Sequence, residues 1–302
     1  MTAQNESDDA QLINEIATRM ARKVTRRRKD VLEPIFDVGE FVRVPIKDAL
    51  GNSCNIGILI IKSDNPLPGN PIVLFAPGDN ENIDGYKGEY YAFTKHGVNF
   101  CAMDYRGNGY SEGEYITYGD NEIDDVFAVI RYLYQSGYQK VSYFGRSRGA
   151  TCGLYAAYEF PNLTSVALDS PRIHSGRDDE YISEKFNVPI EKVREILPLI
   201  YKKIIELIGI DFSRDSQPCE FAGQIRQPIY VIHGETDICI PISESRELMT
   251  LLGSEEKRFD SFNSHHNDFF KRYPFWMKQF YFIVKHSGSD VSEEEFNQTY
   301  DI

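Results

Sequence analysis

The chain has little that would tie it to a metal, a bilayer or a nucleic acid. Its five cysteines are odd in number and lie far apart, at Cys54, Cys101, Cys152, Cys219 and Cys239. No Cys-x-x-Cys pair or Cys/His spacing of a zinc site occurs among them. Three fall in or beside predicted strands or a central helix, so the expectation is free thiols in a reducing, cytoplasmic setting rather than disulfides. No apolar run approaches the length that spans a bilayer. The polar, acidic N-terminus lacks the apolar core of a secretory signal, and none is expected. Basic residues are in deficit. A formal net charge of -13 makes nucleic acid an unexpected partner for the body of the protein. No internal repeat is visible. What the chain does have is 302 residues that are 41% hydrophobic and 13% aromatic, enough for a globular fold with a sizeable core.

Residues 1–33 stand apart. Leu12, Ile13, Ile16, Met20 and Val24 recur at spacings of three and four, which predicts a helix from about Asp8 to Asp30. From Arg19 to Lys29 it carries seven basic residues and no acid. Such a helix docks on an acidic body, or binds an anionic membrane through residues 12–29 or serves as a localisation signal. The first reading is preferred. After Pro34 the pattern turns to short strands. Phe36 to Ile46 and Asn55 to Lys62 flank a polar turn containing Gly51 and predict a hairpin. Further strands are expected at 71–76, 99–105, 141–144, 164–168, 228–232 and 257–262. Helices are expected near 88–96 and at 120–135, 150–160, 243–252 and 269–285. This alternation predicts an α/β fold, an eight-stranded, mostly parallel sheet with helices on both faces. Its active site would lie beyond the carboxyl ends of the strands. The core is assigned to 34–170 and 228–286. The interval 171–227 has no strand and reads as a helical cap insertion, with a helix starting near Pro189 and kinked or broken at Pro198. Its apolar face either lines a pocket or packs on the body. The acidic tail, 287–302, is expected to be disordered or loosely held.

Gly145-Arg146-Ser147-Arg148-Gly149 lies between an apolar strand and a run of good helix formers. A serine on a sharp strand-to-helix turn has strained backbone angles and close neighbours, and glycine two residues to either side supplies the room. The following helix aims its N-terminal amides at the serine, a setting suited to an oxyanion. A serine hydroxyl needs a base, and the base needs orienting. Asp237 lies after the 228–232 strand among turn residues, where a carboxylate can receive an imidazole N–H. Ser264-His265-His266-Asn267-Asp268 follows the last strand. Glu235 and Asp169 are the alternative acids.

These motifs, with Asp104-Tyr105-Arg106-Gly107-Asn108-Gly109-Tyr110-Ser111, occur in the order Ser, Asp, His. Over residues 36–286 the chain resembles the α/β-hydrolase superfamily, most of all its prolyl-oligopeptidase-like peptidases and its acyl-protein thioesterases and depalmitoylases. The resemblance implies Ser147 as nucleophile, Asp237 as orienting acid and one histidine as base. In similar proteins the base follows a small residue and precedes Asn or Asp. That favours His266 and leaves His265 as the alternative. It also implies an oxyanion hole from the N–H of Arg148 and, by position, of Asp79, with Asn80 in reserve. Here the chain departs from the pattern, with Pro77-Gly78 where relatives often carry His-Gly. The Arg146 side chain is expected to pair with an acid under the elbow, Arg148 with an acid of the insertion, and Arg106 in a structural ion pair, while Asp104 organises its loop. The expected reaction needs no metal or cofactor. Its substrate is a small acyl ester or thioester ahead of a peptide, since the chain lacks the length of a propeller-type gating domain. A non-catalytic binding protein is the competing reading, favoured by the odd Pro77–Asp79 loop.

Overall fold

The computed structural model describes residues 3–24, 36–47, 51–79, 81–113, 115–117, 121–174, 178–209 and 217–300. In chain order the strands are β1 (Glu40–Lys47), β2 (Ser53–Ile61), β3 (Ile72–Ala76), β4 (Asn99–Met103), β5 (Val141–Arg146), β6 (Val166–Asp169), β7 (Ile229–Gly234) and β8 (Lys257–Phe262). The helices are α1 (Ala3–Val24), α2 (Ile83–Tyr86), α3 (Tyr91–Thr94), α4 (Glu122–Gln135), α5 (Arg148–Glu159), α6 (Asp178–Phe186), α7 (Ile190–Ile208), α8 (Pro218–Phe221), α9 (Ile242–Leu251), α10 (Phe269–His286) and α11 (Glu293–Gln298). The strands form one sheet in the order β1-β2-β4-β3-β5-β6-β7-β8. β1 pairs antiparallel with β2 and β2 with β4, and every later pairing is parallel.

The order reverses at β3. The chain goes from β3 to β4 on one side and then to β5 on the other, so the loops leaving β3 and β5 diverge and open a crevice at the strands' carboxyl ends. β3 is buried along its whole length, as a central strand covered by helices on both faces must be. Its side chains alternate between two cores. Ile72, Leu74 and Ala76 share one core with Ile123, Val126 and Ile130 of α4 and Ala150 and Leu154 of α5. Val73 and Phe75 meet Phe93, Phe100, Phe144, Phe280 and Ile283. Phe75 stacks on Phe144 at 4.5 Å between ring centroids and meets Phe280 at 5.4 Å.

A third cluster sits apart from the sheet. Ile16, Ala17 and Ala21 of α1 bury against Ile182 of α6 and Val193, Ile196, Ile200 and Ile204 of α7. Lys192 joins Asp9 at 2.6 Å, and the Arg19 guanidinium lies over the Phe186 ring. The apolar stripe of α1 thus faces protein, while the basic residues Arg26 to Lys29 lie outside the described residues. The apolar face of α7 packs on α1 and α6, which corrects the expectation that it meets the body or a pocket. Pro198 does not break α7, which runs as one helix from Ile190 to Ile208. Buried residues on both sides of the proline lie on the stripe that α1 covers, and that packing offsets the lost backbone hydrogen bond, a cost of about 3 kcal/mol. Among the described residues no helix is long and apolar enough to cross a membrane.

Two other expectations change. The segment near Gly88 to His96 is a 3-10 turn over Lys87–Tyr90 followed by α3 rather than one helix. The tail is not loose over 293–298, where it forms α11. Ser292 and Glu295 form a reciprocal capping box, and Phe296 is fully buried against His96 and Tyr281.

Candidate active site

Ser147 sits between β5 and α5 with φ +53° and ψ -115°, a conformation that costs energy for any residue with a side chain. A Cβ on Gly149 would lie 2.1 Å from the Ala76 oxygen, and one on Gly145 would lie 2.3 Å from the Gly149 oxygen. Both glycines are required because β3, β5 and α5 converge there. The Ser147 N–H donates to the Asp169 oxygen at 2.8 Å, so the turn is anchored to β6.

Ser147 Oγ lies 2.9 Å from His266 Nε2, and His266 Nδ1 lies 2.6 Å from Asp237 Oδ2. His266 and Asp237 are each 8% exposed. The other carboxylate oxygen of Asp237 accepts the N–H groups of Cys239 and Ile240, both at 2.9 Å. Burial alone would raise the Asp237 pKa. The His266 hydrogen bond, the Ile240 N–H and the nearby imidazole charge outweigh it and hold the group at about 2. His265 turns the other way: exposed, it bonds through Nδ1 to the Thr236 oxygen at 2.8 Å. The alternative acids are engaged elsewhere. Glu235 accepts from Ser261, and Asp169 accepts from Arg272, Ser170 and the Trp276 indole. His233 bonds Ser245 and the Ile240 oxygen, and burial lowers its pKa.

On the opposite wall, Arg148 opens α5, where backbone N–H groups have no intrahelical partner. Gly78 donates its N–H to Glu81 at 2.6 Å, which spends that group. Asp79 comes next, and its carboxylate faces the Arg148 guanidinium at 3.5 Å. Asn80 lies outside the described residues. Among the described residues Arg148 therefore pairs with Asp79 of the loop after β3, where an acid of the insertion was expected. It also lies over the Tyr105 ring at 4.3 Å. Asp104 accepts the N–H groups of Ile83 and Tyr110, and Arg106 pairs with buried Asp125 at 2.6 Å.

Sequence reasoning missed Arg272. It is fully buried, contacts Asp169 and Asp237, and donates to the His265 oxygen at 2.9 Å. One guanidinium thus ties the acid loop to the histidine loop. The available signal was its position on the buried stripe of α10, four residues before Trp276. Glu81 was also missed. Among the described residues, Asp237, Cys239 and His266 could offer metal donors within 4.8 Å of one another, but the Asp237 oxygens are already occupied by hydrogen bonds.

The sequence profile of the family described as serine aminopeptidase, S33, matches residues 69–204. No curated protein sequence matches the chain. Several solved structures share the fold. An esterase from Pyrococcus furiosus superposes with a TM-score of 0.60 at 18% identity, over 84% of this chain and 98% of that one. A hydrolase from Pseudomonas aeruginosa gives 0.58 at 14% identity, over 84% and 100%. A monoacylglycerol lipase from Paleococcus ferrophilus gives 0.55 at 17% identity, over 76% and 99%.

Proposed function

We propose that this chain is a serine hydrolase of the α/β-hydrolase superfamily that opens carboxylic ester or thioester bonds through an acyl-enzyme. The observation that carries the reading is the continuous series from Ser147 Oγ through His266 to Asp237, at 2.9 and 2.6 Å, on a strained elbow. Asp237 accepts the Nδ1 proton, so Nε2 is the basic nitrogen of neutral His266. Ser147 Oγ adds to the substrate carbonyl as its proton passes to Nε2. The carbonyl oxygen becomes an oxyanion, held by the Arg148 and Asp79 N–H groups. The intermediate collapses, the C–O or C–S bond breaks, and His266 returns the proton to the leaving group. Water then repeats the sequence against the acyl-serine, releasing the acid and restoring Ser147.

Esterase and lipase neighbours support ester cleavage, and so do apolar side chains beside the series. Ile238, next to Asp237, is 89% exposed and Phe270, four residues after His266, is 90% exposed. The S33 aminopeptidase match favours the second reading, amide cleavage by the same groups. A chain-length series of p-nitrophenyl esters and thioesters, beside prolyl and aminoacyl amides, separates the two with Ser147→Ala as blank. Ester turnover peaking at one acyl length supports the first. Amide turnover equal to ester turnover replaces it with the second, and no turnover above the blank removes both.

A further inference from the structure

Arg146 is the last residue of β5, and its backbone leads directly into Ser147. Its side chain is 3% exposed. It meets two loops at once. On one side NH1 pairs with Glu81. Glu81 accepts the Gly78 N–H and the Tyr86 hydroxyl through its second oxygen. Burial, and then the Glu81 charge, push the Tyr86 phenol well above its ordinary range, so it stays a donor. On the other side NH2 donates to the His266 backbone oxygen and to Asn267 Oδ1, the latter at 3.2 Å. The Phe269 ring covers the guanidinium at 4.3 Å, which keeps water from competing for these bonds.

We infer that Arg146, acting with Glu81, is a positioning residue that fixes the loop after β3 and the histidine loop to the strand bearing the nucleophile. The inference rests on the serine-hydrolase reading above. A guanidinium suits the task because its planar fork donates in two directions, whereas an ammonium is a single point donor. The loop carrying Asp79 has no strand partner beyond Ala76, and the histidine loop has none beyond Phe262. Both must be set against Ser147 to within a fraction of an ångström for attack and oxyanion binding to coincide, and an error of about 1 Å costs about 10²-fold in rate. Glu81 also accepts the Gly78 N–H, which ties the loop after β3 to the same carboxylate.

The test compares wild type, Ser147→Ala, Arg146→Lys and the double variant Arg146→Met/Glu81→Gln. Removing both charges avoids leaving one buried without a partner. With a p-nitrophenyl ester, the double variant should lose about 10²-fold in kcat with KM nearly unchanged. Its affinity for a trifluoromethyl ketone, which mimics the tetrahedral adduct, should fall in parallel with kcat/KM. Arg146→Lys should recover part of the loss while keeping the charge. Amide hydrogen exchange should quicken at both 77–81 and 264–268. A folded double variant with kcat within about threefold of wild type overturns the inference, as does unchanged exchange at both loops. Wild type no faster than Ser147→Ala would instead sink the hydrolase reading, and the exchange result then decides the clamp by itself. Should the double variant not fold, Arg146→Lys carries the same comparison, and unchanged kcat and exchange in it overturn the clamp.

Discussion

Asp237→Asn is the sharpest perturbation of the series Ser147–His266–Asp237. One carboxylate oxygen of Asp237 accepts two backbone N–H groups, from Cys239 and Ile240. In the variant, the amide oxygen must take that position, because an NH2 there would face two donors. The NH2 then points at His266 Nδ1, which Asp237 now contacts at 2.6 Å. To accept it, Nδ1 must give up its proton, and the proton moves to Nε2. That nitrogen can no longer accept from Ser147 Oγ, 2.9 Å away. Arg272 Nη2, 3.4 Å from the same carboxylate oxygen, loses its acceptor and further disfavours the site. The tautomer error in serine triads costs about 10⁴-fold in kcat, or about 5.4 kcal/mol at about 1.36 kcal/mol per tenfold. The assay is steady-state ester hydrolysis, with thermal unfolding of both proteins to show that the variant is folded. A folded Asp237→Asn with kcat within about tenfold of wild type would refute the reasoning and return the acid's role to another group.

The two histidines should separate cleanly. His266→Ala should lose at least about 10³-fold in kcat, and His265→Ala, whose ring bonds only Thr236 among the contacts seen, less than about tenfold. Asp237 has its pKa lowered from 3.8 to about 2. Its share of stability, roughly 2 kcal/mol, is present above pH 3.8 and is lost as pH falls through about 2, so between those values wild type should lose melting temperature more steeply than Asp237→Asn. Ile16→Asp places a charge in the α1–α7 contact, where Ile16 is fully buried. It should detach α1 and speed hydrogen exchange in both helices while β3 and β5 stay protected. Phe280→Ala empties the ring cluster around Phe75 and should cost about 3–5 kcal/mol, read from urea unfolding.

Where sequence reasoning worked, the signal was local. The strands at Ile72–Ala76 and Lys257–Phe262 announce themselves by continuous apolar character or by position between turn residues. The elbow needed only Ser147, two glycines and the strand and helix beside it. Where it fell short, the deciding term came from distant residues. Pro198 reads as a helix breaker because propensity is local, but α7 runs through it as one helix, with residues on both sides of the proline buried against α1, far away in the chain. The tail from Gly288 is polar enough to look unstructured, yet one aromatic, Phe296, finds a slot between His96 and Tyr281. Arg148 was expected to meet the insertion and meets Asp79 of the loop after β3.

The sequence by itself determined the alternation of strands and helices and the serine's tight turn, since these follow from side-chain period, glycine and turn chemistry within a few residues. Only the tertiary structure decided which of two adjacent histidines faces Ser147, which acids are already spent, and that Arg146 and Arg272 each tie two loops together. Those are questions of direction. Neighbouring side chains on a loop diverge, and a buried charge takes whichever partner the packing brings within hydrogen-bond reach.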